Sequence, residues 1–266
     1  MTTRRLLLTL LVAGVTAVAA VAAESASAQR LRAPVPDKVV VLTFDDAVAS
    51  HATHVAPRLK RYGFGATFFV TEFVQPPFAD KTHYMTWEQI RALNQQGFEI
   101  GNHTAKHAHV DRLDQVGLVA ELEYIENTGI ALGIPKPLTF AYPAYVTHPA
   151  ALATLAAKGY IFARVGGSRA YDPERDHPLL VPSFSTSGTN REQILAAFRE
   201  ARGGKIVVLT VHGVPDTAHP WVTTPPELFD EYLTYLHDNG YTVLALRDLA
   251  QYVDVARARA TIAPRF

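Results

Sequence analysis

Two histidines stand four residues apart in Gly101-Asn102-His103-Thr104-Ala105-Lys106-His107, directly after an apolar run. A second apolar run upstream, Val39-Val40-Val41-Leu42-Thr43-Phe44, ends in the paired carboxylates Asp45-Asp46. Imidazoles at i and i+4 project from one face of a helical turn, a spacing that suits one small divalent cation. A carboxylate from another strand end would complete a three-ligand set with a position open for water, as in catalytic rather than structural zinc sites. The second carboxylate is then free to act as a base. Taken singly, the histidines read as two surface residues and the Asp pair as a turn or helix N-cap. Together, behind two β-like runs, they point to a metal-dependent hydrolase, because α/β sheets collect functional groups at the C-terminal ends of their strands. The chain has no cysteine, so a transition metal must be held by His and carboxylate.

The elements that must position these groups alternate regularly along the chain. Residues 39–44 read as a buried strand, 50–62 as a helix closed by Gly63, and 66–70 as a second strand. Thr86 is the N-cap of a helix through Gln96, with Glu88 and Gln89 in its first turn and Gly97 as its stop. Residues 98–101 form a third strand, with the histidines on the loop leaving it. A longer helix over 113–132 ends at Gly133 and Pro135, and a fourth strand over 138–141 leads into Tyr142-Pro143-Ala144-Tyr145. A helix over 149–158, a strand over 160–165, a weaker strand signal over 179–184 and a helix over 191–202 follow. Residues 205–211 form a strand ending at His212, and a helix over 226–239 with a strand over 241–246 completes the series. This pattern, without repeats or a linker, implies one α/β domain with a mainly parallel sheet. Seven or eight strands over about 215 residues fit a distorted (β/α) barrel of about seven parallel strands, although periodicity alone leaves a doubly wound sheet open.

The chain has 266 residues, 48% hydrophobic, enough for one sizeable core. Its 25 basic and 25 acidic residues cancel, which argues against a nucleic-acid partner held through phosphates. Arg4-Arg5, an uncharged apolar stretch over 6–23 and Ala26-Ser27-Ala28 have the layout of a secretory signal peptide, residues 1–28, cleaved before Gln29. The apolar stretch approaches the length of an anchor helix, but its alanine content and the cleavage motif favour removal, leaving no stable membrane anchor. Arg4-Arg5 also resembles a twin-arginine signal, and either route delivers a bacterial protein to the periplasm or the exterior. Residues 29–38 are a Pro-rich extended lead-in, 39–250 the domain and 251–266 a C-terminal tail.

In chain order, Thr43-Phe44-Asp45-Asp46, His103-Thr104-x-x-His107, Tyr142-Pro143 and His212 resemble the motifs of the polysaccharide deacetylase family. This is carbohydrate esterase family 4, the nodulation-factor deacetylase homology domain, and the resemblance runs over residues 39–249. It implies that Asp46, His103 and His107 hold a divalent metal, usually zinc, with Thr104 supporting their loop through hydrogen bonds. Asp45 would be the general base and His212 the general acid for the leaving amine. A divalent cation brings the pKa of water from roughly 15.7 to about 7 and polarises a carbonyl, while a departing amide nitrogen needs a proton. A backbone N–H of Ala144 or Tyr145 would face the oxyanion. Tyr142, Pro143, Ala144, Tyr145 and Trp221 are the candidates for contact with an acetylated glycan, the rings of Tyr145 and Trp221 by stacking on sugar.

The chain departs from that pattern in three places. Where the third motif usually reads Arg-x-Pro-Tyr/Phe-Gly, this chain has Ala141-Tyr142-Pro143-Ala144-Tyr145. The arginine that braces the base and the glycine are both missing, so Asp45 is expected to respond to burial and metal unless Arg164 or Arg169 substitutes. No clear counterpart exists for the fourth-motif aspartate; Asp172 and Asp176 are the nearest carboxylates and read as a solvated loop. Thr210 stands two residues before His212, where leucine is usual. His51 and His54 read as solvent-facing residues of the helix after Asp46. These departures leave two alternatives to an exported deacetylase: a catalytically silent carbohydrate binder, and an amidase acting on a small non-sugar substrate.

Overall fold

Every residue of Val39–Phe44 (β1) is buried, and a strand with no solvent face belongs at the centre of a parallel sheet covered by helices. The computed structural model, which describes residues 30–73 and 81–266, places it there. The putting together of the sheet follows from β1 outward. It adds Thr67–Val70 (β2), Glu99–Asn102 (β3), Thr139–Ala141 (β4) and Phe162–Arg164 (β5) on one side, and Val207–Val211 (β7) then Phe184–Ser185 (β6) on the other. All pairings are parallel. The eighth strand, Thr242–Leu244 (β8), pairs with Val39, Val40 and Val41 on the β1 edge whose upper half, Thr43 and Phe44, pairs with β2. Two strands thus share one edge of β1, and the sheet curls into a distorted α/β barrel.

The ends of the curl are joined by the weak strand signal noted above. Val181 bridges Arg164 of β5, and three residues later Phe184 and Ser185 pair with Leu209 and Thr210 of β7. Period-two alternation then sorts the side chains. Val40, Leu42 and Phe44 face the helical layer, with Leu59 of Ala56–Tyr62 (α1) and Leu93 of Trp87–Gln95 (α2). Val39, Val41, Phe69, Ala141, Phe162 and Val208 fill the interior. The same alternation sends Thr43, Asp45, Arg164 and Thr210 inward at the C-terminal ends of their strands.

Local chemistry sets the helix limits as the sequence implies. Thr86 and Gln89 form a reciprocal capping box on α2, Asp114 caps Gln115–Ala131 (α3), and Gly63 ends α1 at φ 68°. Pro149–Ala157 (α4), Arg191–Phe198 (α5) and Pro226–Asp238 (α6) complete the outer layer. Three readings change. The helix after Asp46 begins with a π turn, His51–Val55, which turns His51 into the core rather than to solvent. The helix expected over 191–202 stops at Phe198. Residues 251–266 carry a helix, Val255–Thr261 (α7), whose Val255 and Ala258 pack with Ile262 and Val253 beneath the barrel. Leu31 of the lead-in bridges Val253 there. The signal peptide assigned to residues 1–28 lies outside the described residues. Among those described, no helix is long and apolar enough to cross a membrane.

The barrel floor is tied by one buried carboxylate. Glu99 accepts from Thr67 Oγ1 at 2.6 Å, Thr139 Oγ1 at 2.9 Å and the Arg247 N–H at 2.9 Å, linking β2, β3, β4 and the turn after β8. Burial pushes its carboxyl above the usual range, and these three donors pull it partly back. Glu99→Ala would strand all three donors and is expected to cost about 2–4 kcal/mol. Glu99→Gln, which keeps an acceptor, should cost less. Urea unfolding of the three proteins checks this ranking, and equal losses would contradict it.

Candidate functional site

The loops leaving β1, β3, β4 and β7 surround a cavity of about 570 Å³ lined by Asp45, Asp46, His103, His107, Tyr142 and His212 among others. Six of the eight non-glycine residues with positive φ among those described lie in the first three of these loops: Asp46, Ala47, Thr104, His107, Ala144 and Tyr145. Such conformations cost free energy and persist where neighbouring contacts enforce them. The histidines therefore do not share a helical turn. Thr104 at φ 60° and His107 at φ 54° fold the loop back, and this brings the two rings to 4.8 Å. Asn102 Oδ1 accepts from the Thr104 N–H at 3.0 Å, and Thr104 Oγ1 accepts from the Ala108 N–H at 2.9 Å.

Asp46, His103 and His107 meet with ligand atoms within 4.8 Å of one another. Asp46 Oδ1 lies 3.5 Å from both His103 Nε2 and His107 Nε2, and it has no hydrogen-bond partner among the described residues. Those separations are too long for hydrogen bonds but match the roughly 3.4 Å between tetrahedral ligands each about 2.1 Å from an ion. His103 Nδ1 donates to the Ala141 carbonyl at 2.8 Å, which leaves the Nε2 lone pair for coordination. Burial pushes His103 down to about 3 and His107 to about 4, so both rings are neutral at ordinary pH. Burial and the Asp45 charge raise the Asp46 carboxyl to about 6, against the pull of His212. The donor set fits a divalent cation.

Asp45 is equally buried and is treated differently. Burial alone would raise it, but Arg164 foremost, with His103, His212 and His107, holds it below the ordinary carboxylate range. Arg164 Nη2 donates to Asp45 Oδ2 at 2.5 Å and Nη1 to Thr210 Oγ1 at 2.8 Å. The expectation that Asp45 lacks a fixed cation is therefore corrected, and of the two arginines considered it is Arg164 that fills the place. Arg169 pairs instead with Asp176 in a surface loop.

A family model described as polysaccharide deacetylase matches residues 32–163, which include Asp45, Asp46, His103, His107 and the Ala141-Tyr142-Pro143 turn. The chain belongs to the polysaccharide deacetylase family. A chitin deacetylase from Pestalotiopsis sp is 31% identical over 120 residues, covering 45% of this chain and 38% of that protein's length. A family 4 acetyl xylan esterase from Clostridium thermocellum, solved in complex with a cobalt ion, superposes with TM-score 0.55 at 25% identity, covering 80% of this chain and 90% of that one. A family 4 pseudoenzyme from Bacillus anthracis shares the fold at TM-score 0.55 and 17% identity, over 81% of this chain and 66% of that one.

Beside the deacetylase motifs, the remaining predicted residues fall into two groups. Tyr142, Ala144, Tyr145, Trp221 and His212 line the cavity, whereas Pro143 is buried beneath the turn and does not. Tyr145 occupies the usual glycine position and keeps φ 60°, and its N–H is spent on the Tyr142 carbonyl. Of the two candidate oxyanion donors, that leaves Ala144. Gly166 accommodates the Tyr145 ring, since a Cβ there would stand 3.0 Å from it. Trp221 is 73% exposed at the cavity mouth, so it does not cap the core.

His212 Nε2 stands 3.9 Å from Asp46 Oδ2. Its Nδ1 is buried without a hydrogen-bond partner among the described residues, and neither Asp172 nor Asp176 comes near. The polysaccharide deacetylase pattern of an aspartate on this ring is thus not reproduced. His51 Nε2 instead donates to the His212 carbonyl at 2.9 Å and fixes the loop from beneath. Sequence reasoning missed Phe73, Lys106, Ser185, His219 and Val222 in the lining. Buried Asp216 accepts the His219 N–H at 2.7 Å. Wild-type protein is expected to take up one zinc or cobalt ion per chain. Asp46→Ala, His103→Ala and His107→Ala should each weaken binding by more than the about 10–100-fold that outer-shell changes cost. Asp45→Asn should keep the stoichiometry. Isothermal titration of the metal-free proteins checks both statements.

Proposed function

We propose that this chain is an exported, metal-dependent deacetylase that removes acetyl groups from an N-acetylated glycan such as peptidoglycan, a chitin-like oligomer or an exopolysaccharide. The observation that carries the reading is the pair of neighbouring carboxylates set to different tasks. Asp46 faces His103 and His107 at coordination spacing, while Asp45 is turned to Arg164 and kept ionised. Export rests on the leader-like residues 1–28.

Asp46, His103 and His107 would hold the cation, zinc in our reading, which when bound supplies Lewis acidity toward an acetyl oxygen and a water. Asp45 takes the proton of the attacking water on Oδ1, the oxygen that Arg164 leaves free. The Ala144 N–H faces the charge that develops on the carbonyl oxygen. His212, which lines the same cavity, delivers a proton to the amide nitrogen as the C–N bond breaks, so acetate and a free amine leave. Trp221, exposed at the mouth, offers a flat apolar face to a sugar ring.

One observation favours a second reading. The His212 ring lacks a carboxylate partner, as suits a silent member that only binds glycan. The ionised base and neutral ligand histidines speak against it, since binding alone uses neither.

Acetate release by the metal-loaded mature protein from a panel of N-acetylated and O-acetylated glycans decides between the readings. Asp45→Asn is expected to lower the rate by about 10³-fold or more and His212→Ala by about 10²-fold. The best substrate assigns the linkage. No release from any glycan, with metal bound, would sink the deacetylase reading and leave the binder or a small-molecule amidase.

A further inference from the structure

We propose that the loop over residues 213–224 is a built subsite for a second, uncharged sugar: buried Asp216 folds the loop, the His219 ring buttresses Trp221, and the indole carries the pyranose next to the acetylated one. This rests on the deacetylase reading and makes Asp216 and His219 positioning residues for substrate.

Asp216 closes the loop on itself. Its Oδ1 accepts from the His219 N–H at 2.7 Å, its Oδ2 from the Gly213 N–H at 3.4 Å, and its own N–H donates to Thr223 Oγ1 at 2.8 Å. A buried carboxylate is tolerated where donors surround it in this way. Gly213 is required for the approach, since a Cβ there would stand 2.5 Å from the Asp216 Cα. At the far end the Thr224 N–H donates to the Gly213 carbonyl at 3.1 Å, and the Thr224 and Thr186 hydroxyls pair at 2.7 Å. Between these ties Pro220–Val222 forms one 3-10 turn, with the Val222 N–H on the His219 carbonyl at 3.1 Å. Trp221 sits in the middle of that turn.

A row of rings backs the turn. His219 and Trp221 meet edge to face, with centroids 5.3 Å apart and planes at 76°. Behind them Tyr84 lies 6.4 Å from His219, Phe73 lies 4.9 Å from Tyr84, and His107 lies 5.7 Å from Phe73. The wall therefore runs without a break from a predicted metal ligand to the indole. Single exposed apolar side chains are ordinary on protein surfaces. Trp221 differs from exposed Val116, Tyr124, Ile130 and Leu138 in lining the reaction cavity, and a loop tied at both ends holds it out.

The chemistry of the ledge selects its occupant. The loop lines the cavity with His219, Trp221 and Val222, and these include no carboxylate, lysine or arginine. Such a surface suits the C–H face of a neutral pyranose rather than an ionic group. The cavity itself, about 570 Å³, is of the size that takes a whole small molecule. The acetylated sugar fits within it, which leaves the indole at the mouth to its neighbour in the chain.

Acetate release by metal-loaded protein from the β-1,4-linked pentamer of N-acetylglucosamine and from the monosaccharide tests this. Wild type should favour the pentamer by about tenfold or more in kcat/KM, and Trp221→Ala should erase most of that preference through KM, with kcat on the pentamer within about twofold. Asp216→Ala and His219→Ala should each lose about 3–5-fold of the preference. His219→Phe, which keeps a ring and removes the nitrogens, should recover most of the loss seen in His219→Ala. If Asp216→Ala does not fold, Thr223→Val, which removes only the acceptor of the Asp216 N–H, is read in its place. An undiminished pentamer preference in Trp221→Ala would overturn the subsite, and a His219→Phe as impaired as His219→Ala would overturn the buttress. A wild type that releases no acetate would fell the deacetylase reading instead. Fluorescence of the two tryptophans, titrated with the pentamer, would then judge the ledge alone. A quench in wild type that Trp221→Ala abolishes supports the subsite, and its absence in wild type overturns it.

Discussion

The Arg164–Asp45 contact is where an apolar barrel becomes a reactive one. Below it the interior is Val39, Val41, Phe69, Phe162 and Val208, and above it lies the cavity. A carboxylate at that boundary, buried to 2% exposure, would take up a proton unless a cation were fixed beside it. Arg164 supplies that cation from β5, and Thr210 on β7 holds it, so three inward-facing strand ends depend on a single guanidinium. The barrel must close for the contact to exist. The short run from Val181 to Ser185 that joins β5 to β7 also contributes Ser183 to the same polar layer.

Two adjacent carboxylates with one burial would ordinarily compete for the same proton. Here the backbone separates them. Asp45 continues the β1 ladder, its N–H bound to the Val211 carbonyl, and faces the barrel axis. Asp46 adopts φ 72° and swings its side chain toward the histidine loop. The guanidinium reaches only the first, so the first is depressed and the second raised. Environments that push paired groups apart give two neighbouring carboxylates different protonation at the same pH.

What the sequence displayed and what it concealed divide along contact range. Local patterns were legible: the apolar run of β1, the Thr86 capping box, the Gly63 stop, and the Asp45-Asp46 and His103-His107 clusters at strand ends. Arg164 was not, beyond being one of two arginines to consider, because its partner lies 119 residues away in sequence. No local rule distinguishes it from Arg169, which went to a surface pairing with Asp176. His51 misled because a helix-periodic reading cannot foresee a π turn. That turn rotates the ring 5.4 Å from Phe44 and onto the His212 carbonyl. The histidine spacing picked out two rings that do meet, but for a wrong local reason, since a left-handed loop, not a helical turn, joins them. Residues 251–266 looked like a tail because seven helical residues carry too few apolar positions to register, yet Ala258 is fully buried.

The strained loops bear on how such a site is held in shape. Positive φ at Thr104, His107, Ala144 and Tyr145 costs free energy that neighbouring contacts must offset. Side chain to backbone bonds do so: Asn102 to Thr104, Thr104 to Ala108, and His103 to Ala141. Asn102 is itself held by donating to the Leu122 carbonyl on α3 and to Tyr160 OH, which donates in turn to Glu126. The histidine loop is thereby anchored to the outer helix layer, and Asp45 to the barrel interior. The two histidines and Asp45 are held by different parts of the fold. A site built in this way has its orientation cost met during folding, which is what electrostatic preorganisation requires.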